Sequence, residues 1–273
     1  MLKQNKAVKM KAKGLLSLLT FSEKRRDILL MLQEEPKTLK EIREYFNVTS
    51  PEIIPHIRKL ENGNLILQQN KKYVLTDVGK VVTKSFERLS KTLEFFEYNM
   101  DFWKEHNING IPEEFRMRLY ELGNYKISES TPVEIFLPHN VYMKNLSESK
   151  CVKGVSPTLH PDYPKLVTML AKKGVGVSFV VTRDVLDKIQ KEYKKDLKNF
   201  LSYEKASLYV SDEDIKVAFT TSDTFLSMRL FLKDTTYDFY RNIICYEKSA
   251  LKLGEDLFKY YEKLSKKVEL QDF

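Results

Sequence analysis

Histidine and cysteine are the residue types in this sequence with the widest catalytic and metal-binding chemistry. They occur as His56, His106, His139, His160, Cys151 and Cys245. A metal site needs several such ligands at close spacing, and these residues form neither a cluster in the sequence nor a Cys-x-x-Cys pair. We therefore expect no metal and no cofactor, and we interpret each histidine as a surface or hydrogen-bonded residue.

One known route to phosphodiester hydrolysis uses a histidine nucleophile with a lysine two residues later. His139 is followed by NVYMK and His160 by PDYPK, so neither has a lysine at that position. The glycine-rich patterns that bind phosphates and the HExxH pattern of zinc proteases are absent as well. These absences predict a protein that is not an enzyme.

Basic side chains are concentrated in the N-terminal part of the chain. Residues 1–80 contain 16 lysines and arginines against 9 acidic residues, which accounts for most of the net charge of +8. Such an excess is expected of a segment that binds a polyanion such as DNA. Five of these lysines lie within residues 1–13, so charge alone leaves DNA as one candidate partner among several.

Residues 22–82 have the pattern of a winged helix-turn-helix. Three short helices are predicted, at residues 22–35, 38–46 and 51–62. In the third helix Ser50 is the expected N-cap and Pro51 the first helical residue, where its missing N–H costs nothing. The strand-like runs LILQQ and YVLT follow, joined by the polar turn NKK.

The third helix is expected to read DNA. Ile53, Ile57 and Leu60 share one face, so the opposite face points outward. In a winged helix this outward face lies in the major groove, and the hairpin tip contacts the backbone or the minor groove. The predicted DNA-binding residues are Thr49, Ser50, Glu52, Arg58, Lys59, Asn62, Lys71 and Lys72. Winged helices also serve as protein-docking modules, and this alternative stays open.

Residues 77–106 are predicted to form one long helix with an apolar stripe spaced like a heptad seam. The stripe consists of Phe86, Leu89, Leu93, Phe96, Met100 and Trp103. It either packs within its own chain or pairs with the same helix of a second subunit. We favour a homodimer, because a two-fold dimer matches a palindromic operator.

Beyond residue 127 the predicted strands and helices alternate, which indicates an α/β layer domain. The fold class is therefore a two-domain α+β/α/β chain. Its predicted divisions are a basic tail and leading segment at 1–21, the winged helix-turn-helix at 22–82, linker and dimerisation helices at 83–126, and an effector-sensing α/β domain at 127–273. No apolar run approaches the roughly 20 residues of a membrane helix, and the two cysteines fit a reducing cytoplasm.

An effector site is expected where the strands of the α/β domain end, because ligands favour the carboxyl ends of such strands. Ser156, Thr158 and His160 follow one predicted strand, and Thr182 and Arg183 follow the next. Together they can bind a small polar or anionic molecule. Alternatively, Ser156 and Thr182 only cap the segments that follow them.

Several longer stretches carry a family resemblance. They are TLKEIREYFNVTSPEIIPHIRKLENGNLI, YVLTDVGK, DFWKEHNINGIPEEF, GVSPTLHPDYP and EDIKVAFTTSD. The chain resembles archaeal winged-helix regulators that have a methanogenesis-regulatory middle domain. That resemblance implies a cytoplasmic, dimeric transcriptional regulator that binds double-stranded DNA and senses an effector through its C-terminal domain. The family commonly has a glycine where this chain has Thr235–Thr236, and a tryptophan-glycine pair where it has Leu253–Gly254.

The order of the C-terminal elements is also similar, more weakly, to that of the phospholipase-D-like effector domains of some archaeal regulators. Because neither His139 nor His160 is followed by the required lysine, this resemblance implies a domain without catalytic activity.

Overall fold

The computed structural model describes residues 14–130 and 140–272. The chain divides into two compact units, residues 1–93 and 94–273. The segment 83–126, predicted as a separate linker, is therefore shared between the two units. The lysine-rich tail and His139 lie outside the described residues.

The first unit contains a winged helix-turn-helix. Its elements are α1 (Leu15–Thr20), α2 (Glu23–Glu34), β1 (Lys37–Thr38), α3 (Leu39–Phe46), α4 (Ser50–Asn62), β2 (Ile66–Gln69), β3 (Lys72–Leu75) and the part of α5 (Asp77–Tyr98) up to Leu93. The three strands form one antiparallel sheet in the order β1-β3-β2. The three predicted helices and the hairpin are thus present, and α1 is an additional helix before them.

Local sequence explains why these helices begin where they do. The Ser22 side chain accepts a hydrogen bond from the Arg25 N–H at the start of α2. Thr38 and Glu41 form the predicted capping box of α3. The apolar stripes of α2, α3 and α4 then meet in one core. Its fully buried members include Ile28, Leu29, Ile42, Ile53, Ile57 and Leu60.

The start of α4 is one residue earlier than predicted. Thr49 is the N-cap, so Ser50 is the first helical residue and Pro51 the second. The reason is Glu52, whose carboxylate bonds back to Thr49 and not to Ser50. Pro55 stays inside the helix without ending it.

The predicted continuous helix over residues 77–106 is wrong. It is broken at Asn99, whose φ of −141° and ψ of 52° are not helical. Helix α5 ends before this residue, and α6 (Met100–Glu105) begins after it. The residues of the predicted apolar stripe therefore lie in three different environments. Phe86 packs on the winged-helix core, Phe96 and Trp103 belong to the core of the second unit, and Leu89, Leu93 and Met100 are exposed.

The second unit is an α/β domain with further helices at its start. After α6 it contains α7 (Glu113–Arg116), β4 (Lys126–Glu129), α8 (Asn140–Glu148), β5 (Cys151–Ser156), α9 (Tyr163–Lys172), β6 (Gly176–Thr182), α10 (Arg183–Glu192), α11 (Lys194–Leu201), β7 (Ala206–Ser211), β8 (Val217–Ser222), β9 (Leu226–Leu230), β10 (Arg241–Cys245), α12 (Lys248–Lys263) and β11 (Lys266–Lys267). Short 3-10 turns lie at Ile108–Gly110, Leu119–Leu122 and Leu270–Asp272.

Eight strands form one mixed sheet in the order β11-β7-β6-β5-β8-β9-β10-β4. Strands β5, β6 and β7 are parallel and joined by helices, as a parallel pair requires. The remaining neighbours, β5–β8, β8–β9, β9–β10 and β10–β4, are antiparallel pairs. Helices α10 and α11 are separated by Tyr193, which has a φ of −131°.

The two faces of this sheet have separate cores. One face packs on α12, where Gly254 approaches the sheet so closely that a Cβ would lie 2.6 Å from Thr221 Oγ1. The other face packs on α8 to α11 over β5, β6 and β7. Among the described residues no helix is both long and apolar enough to cross a bilayer.

Candidate nucleic-acid interface and ligand cavity

The outer face of α4 carries the predicted reading residues. Arg58, Lys59 and Asn62 are exposed, while Ile53 and Leu60 on the opposite face are fully buried. The orientation of the helix about its axis is therefore the predicted one. Asn62 is the last residue of α4, at the end of the same exposed face.

Three other predicted residues form the start of this helix. The Glu52 carboxylate accepts hydrogen bonds from the backbone N–H and the hydroxyl of Thr49, each at 2.7 Å. These bonds, the backbone one first, hold the pKa of Glu52 below its usual range. Glu52 is thus a capping anion, and Ser50 beside it is half-buried.

The wing is a tight hairpin. Gln69 pairs with Lys72, and the two residues between them, Asn70 and Lys71, have φ of 52° and 65°. Two consecutive positive φ values are typical of a type I′ turn, which suits the twist of a hairpin. Lys71 is therefore at the tip, and Lys72 is the first residue of the returning strand.

The basic residues of helix and wing share a feature: they are exposed, and no ion pair to them occurs within the described ranges. They are Arg58, Lys59, Lys71 and Lys72. Other lysines of the same unit are paired, for example Lys40 with Glu44 and Lys80 with Asp77. A cationic surface of this kind can contact phosphates and base edges without first breaking internal pairs.

In the second unit, part of the predicted effector site comes together. Ser156, Thr158 and His160 line a cavity of about 450 Å³ on the sheet face opposite α12. The Ser156 hydroxyl donates to the Thr158 carbonyl oxygen at 2.6 Å, which closes the loop after β5.

The other two predicted effector residues do not line this cavity. Arg183 forms an ion pair of 2.9 Å with Asp212 at the end of the neighbouring strand. Thr182 occupies the N-cap position of α10, but its side chain makes no capping hydrogen bond. The cavity extends over β8, β9 and β10, which run antiparallel, so its lining includes a strand face as well as the end of β5.

Most of the cavity wall was not predicted. Its polar and aromatic members include Tyr142, Tyr163, Thr220, Ser227, Arg229, Tyr237 and Asn242. One signal was available in the sequence. In LSMRL, Ser227 and Arg229 alternate with three apolar residues, so both point to the same face of a strand.

Burial dominates the electrostatics of the cavity. It raises the pKa of Tyr237 to about 12 and that of Tyr142 well above its ordinary value, although the nearby Arg229 guanidinium opposes both shifts. The tyrosines are therefore neutral hydroxyls that can donate hydrogen bonds. Burial likewise raises the pKa of the Cys151 and Cys245 thiols, the latter to about 12, so neither is a reactive thiolate at neutral pH.

His106 and His56 each lie within hydrogen-bonding distance of another group of the protein. His106 is buried, with Nε2 3.0 Å from Asp238 Oδ2 and Nδ1 2.7 Å from the Phe102 carbonyl oxygen. His56 lies 3.2 Å from the Ser22 hydroxyl. Within residues 14–130 and 140–272, no three His, Cys, Asp or Glu side chains are grouped as metal ligands.

The first unit, with its exposed basic face, defines a protein of the winged helix-turn-helix class. The profile of the N-terminal domain of Methanogenesis regulatory protein FilR1 matches residues 13–94, and the profile of its middle domain matches residues 135–264. The chain therefore belongs to the family of methanogenesis regulatory proteins of the FilR1 type. The curated FilR1 of Methanothrix harundinacea (strain 6Ac) is 27% identical over 255 residues, which are 92% of this chain.

The chain spans 57% of the length of that relative. Two solved structures are more distantly similar. The archaeal chromatin protein TrmBL2 has a TM-score of 0.43 and 14% identity, with 90% of this chain and 92% of that one covered. The phospholipase D family member Nuc from Salmonella typhimurium has a TM-score of 0.37 and 14% identity, with 54% and 98% covered. At TM-scores below 0.5 neither likeness indicates a function.

Proposed function

We propose that this chain is a transcriptional regulator that binds duplex DNA through α4 and the β2–β3 hairpin. The observation that carries the proposal is the set of exposed basic residues Arg58, Lys59, Lys71 and Lys72, which have no ion-pair partner among the described residues. The chain belongs to a family whose curated member is a regulatory protein, and this supports the same conclusion.

In this proposal the two basic pairs have different tasks. An α-helix fits the major groove of B-DNA, so Arg58 and Lys59 reach base edges or the phosphates that flank them. The hairpin tip contacts the backbone beside that groove, where Lys71 and Lys72 neutralise phosphates. Glu52 and Thr49 hold the start of α4 and do not read bases in this proposal.

The regulator acts as a homodimer in this proposal, through the exposed apolar residues of α5. Leu89 and Leu93 are 50% and 53% exposed, and they lie one turn apart on the helix. Two exposed leucines that are neighbours on one helix are suited to burial against a second copy. A dimer would present two α4 helices to a two-fold symmetric operator.

The test is selection of bound fragments from a genomic library by the purified chain, followed by anisotropy titrations of the selected duplex. We expect a shared sequence motif, and a loss of about 1–3 kcal/mol in affinity for each of Arg58→Ala and Lys59→Ala that reaches a base edge. Lys172→Ala/Lys173→Ala, an exposed lysine pair at the end of α9, is the matched control and should bind like wild type. Absence of duplex binding would favour a protein-docking winged helix instead.

A further inference from the structure

The cavity of the second unit is built on an unusual sheet surface. On one face of β8, β9 and β10 most residues are polar, and most of these polar residues are buried; Ala218 and Ile244 are the apolar members of this face. Thr220 is opposite Ser227 and Ala218 is opposite Arg229 in the register, and the Ser227 hydroxyl donates to Asn242 Oδ1 at 3.0 Å. Burial of polar groups is costly unless they have partners, so a run of them needs an explanation.

The same strands are apolar on their other face. Phe219, Met228 and Ile243 alternate with the polar residues and belong to the core under α12. Thr221, which faces Gly254 of α12, is a polar exception on that face, so the polar residues are concentrated on the face that lines the cavity without being confined to it. Helices α9 to α11 pack on this face over β5 to β7. Over β8 the described helix contact is that of Tyr142 in α8, whose hydroxyl lies 2.9 Å from Thr220 Oγ1. A polar surface in such a place is typical of a binding site.

Arg229 supplies the only arginine or lysine among the described lining residues. It hydrogen-bonds to the Tyr237 hydroxyl, which is neutral, and no carboxylate in the described part of the chain forms an ion pair with it. Two other arginines of this unit differ in this respect, since Arg183 pairs with Asp212 and Arg241 with Asp238. A guanidinium has five N–H donors, so one tyrosine leaves most of them available.

The other residues that line the cavity indicate what kind of chemical group the rest of the ligand has. Tyr142 and Tyr163 stack at 6.5 Å between ring centroids, and Tyr142 is hydrogen-bonded to Thr220 at 2.9 Å. Phe239 and Tyr240 are about half exposed and line the cavity where it meets solvent. The walls are thus aromatic, and the volume of about 450 Å³ falls in the range of small-molecule sites.

We propose that this cavity binds a small organic acid whose carboxylate pairs with Arg229 and whose body packs between the aromatic side chains. The fork of an arginine matches a carboxylate with two parallel hydrogen bonds. A single arginine balances one carboxylate, whereas a phosphate dianion would leave a negative charge uncompensated in a largely buried site. The proposal goes beyond DNA binding, and its test does not use DNA.

The test is ligand-observed NMR with the full chain and matched pairs of probes. Benzoate, 4-hydroxybenzoate and phenylacetate are compared with benzamide, 4-hydroxybenzamide and phenylacetamide. We expect at least one acid to bind at least tenfold more tightly than its amide, since only the acid forms charge-assisted hydrogen bonds. Arg229→Met should weaken the acid about tenfold or more and leave the amide unchanged, while Arg229→Lys should weaken it less.

Two controls keep the result specific. Arg183→Met removes an arginine that already has a carboxylate partner and should leave acid binding at the wild-type level. Tyr237→Phe removes one hydroxyl and should have a smaller effect than Arg229→Met. The acid–amide comparison in wild-type protein remains valid even where a variant fails to fold.

Three outcomes would overturn the proposal. They are absence of binding by every acid at millimolar concentration, equal binding of acids and amides, and equal binding of the acids to wild type and to folded Arg229→Met. Tighter binding of phenyl phosphate or inorganic phosphate than of the acids would overturn the assignment to carboxylates.

Discussion

The Glu52 carboxylate accepts two hydrogen bonds of 2.7 Å from Thr49, one from its backbone N–H and one from its hydroxyl. This relationship fixes where the proposed recognition helix begins. It also explains an acidic residue on a surface otherwise suited to DNA, because an anion stabilises the first turn of a helix. Glu52 is therefore expected to act on the stability of the winged helix and not on base reading.

We predict that Glu52→Ala lowers the melting temperature at pH 7. The pKa of Glu52 is lowered in the folded state, so its contribution is present above the unfolded pKa near 4.5 and is lost as pH falls through the folded value. The difference between wild type and variant should therefore shrink below about pH 4. Thermal melts at pH 7 and pH 3.5 measure this difference. Glu44→Ala removes an exposed carboxylate from α3 and is the control; identical melting of wild type and Glu52→Ala at pH 7 would refute the capping role.

The exposed leucines of α5 give a prediction about assembly. Leu89→Asp and Leu93→Asp are expected to convert a dimer into monomers, because a charge buried in an apolar interface without a partner is strongly unfavourable. Each unit should stay folded, since both side chains are half exposed in the single chain. Sedimentation velocity at micromolar concentration measures the change. Val81→Asp, at a 68% exposed apolar position on the same helix, should remain dimeric. A wild-type monomer would rule out this interface.

The winged helix could be predicted because its signals are local. Capping residues, apolar spacing at three and four residues, and a two-residue turn all act within a few positions of the chain, and they place α2, α3, α4 and the hairpin correctly. The heptad reading of residues 77–106 failed for the opposite reason. The spacing of three and four between apolar residues continues across Asn99, where the helix ends, so this spacing could not indicate the break.

The buried pair of His106 and Asp238 offers a stability test in the second unit. Burial acts to raise the pKa of Asp238, but hydrogen bonds from His106, Arg241 and two backbone N–H groups outweigh it and hold the pKa well below its usual range. We expect Asp238→Asn to lower the free energy of unfolding by about 3–5 kcal/mol at pH 7, because it leaves the Arg241 guanidinium and the surrounding N–H donors without their anion.

The pH dependence of this effect has a definite sign. A lowered carboxyl pKa contributes stability that is present above the unfolded value near 3.8 and is lost as pH falls through the folded value. The difference between wild type and Asp238→Asn in urea titrations should thus decrease from pH 7 to pH 3. Asp234 is an exposed aspartate of the same loop, and Asp234→Asn should lower the free energy of unfolding much less. Equal stability of Asp238→Asn and wild type at pH 7 would contradict the role of the pair.

Thr235 has a φ of 72°, a left-handed conformation that a β-branched residue adopts only at a cost. The resemblance noted in the sequence implies that the family commonly has a glycine where this chain has Thr235–Thr236. We expect Thr235→Gly to stabilise the chain by about 0.5–1 kcal/mol, because the relief of strain exceeds the added entropy of the unfolded state. Thr236→Gly, where φ is not positive, should destabilise it. If chemical denaturation showed that both variants stabilise the chain, or that both destabilise it, the result would argue against strain at Thr235.

The cavity could be predicted only in part. Ser156, Thr158 and His160 follow a strand, and the rule for parallel sheets located them. The polar face of β8 to β10 depends on pairings between distant residues, and β10 itself pairs with β4 more than 100 residues earlier, Arg241 facing Glu129. The alternation in LSMRL indicates that Arg229 shares a face with Ser227, but sequence alone does not tell which face of the strand lines a cavity.

The most direct test of the proposed DNA contact is the salt dependence of duplex binding by the wing variant Lys71→Ala/Lys72→Ala. Each lysine that neutralises a phosphate releases about one counterion, so loss of both should flatten the slope of log K against log salt by roughly 2. Selected and random duplexes should weaken by similar factors, because phosphate contacts carry no sequence information. Lys172→Ala/Lys173→Ala should keep the wild-type slope. A wild-type slope in the wing variant, or no duplex binding by wild type at low salt, would contradict the account.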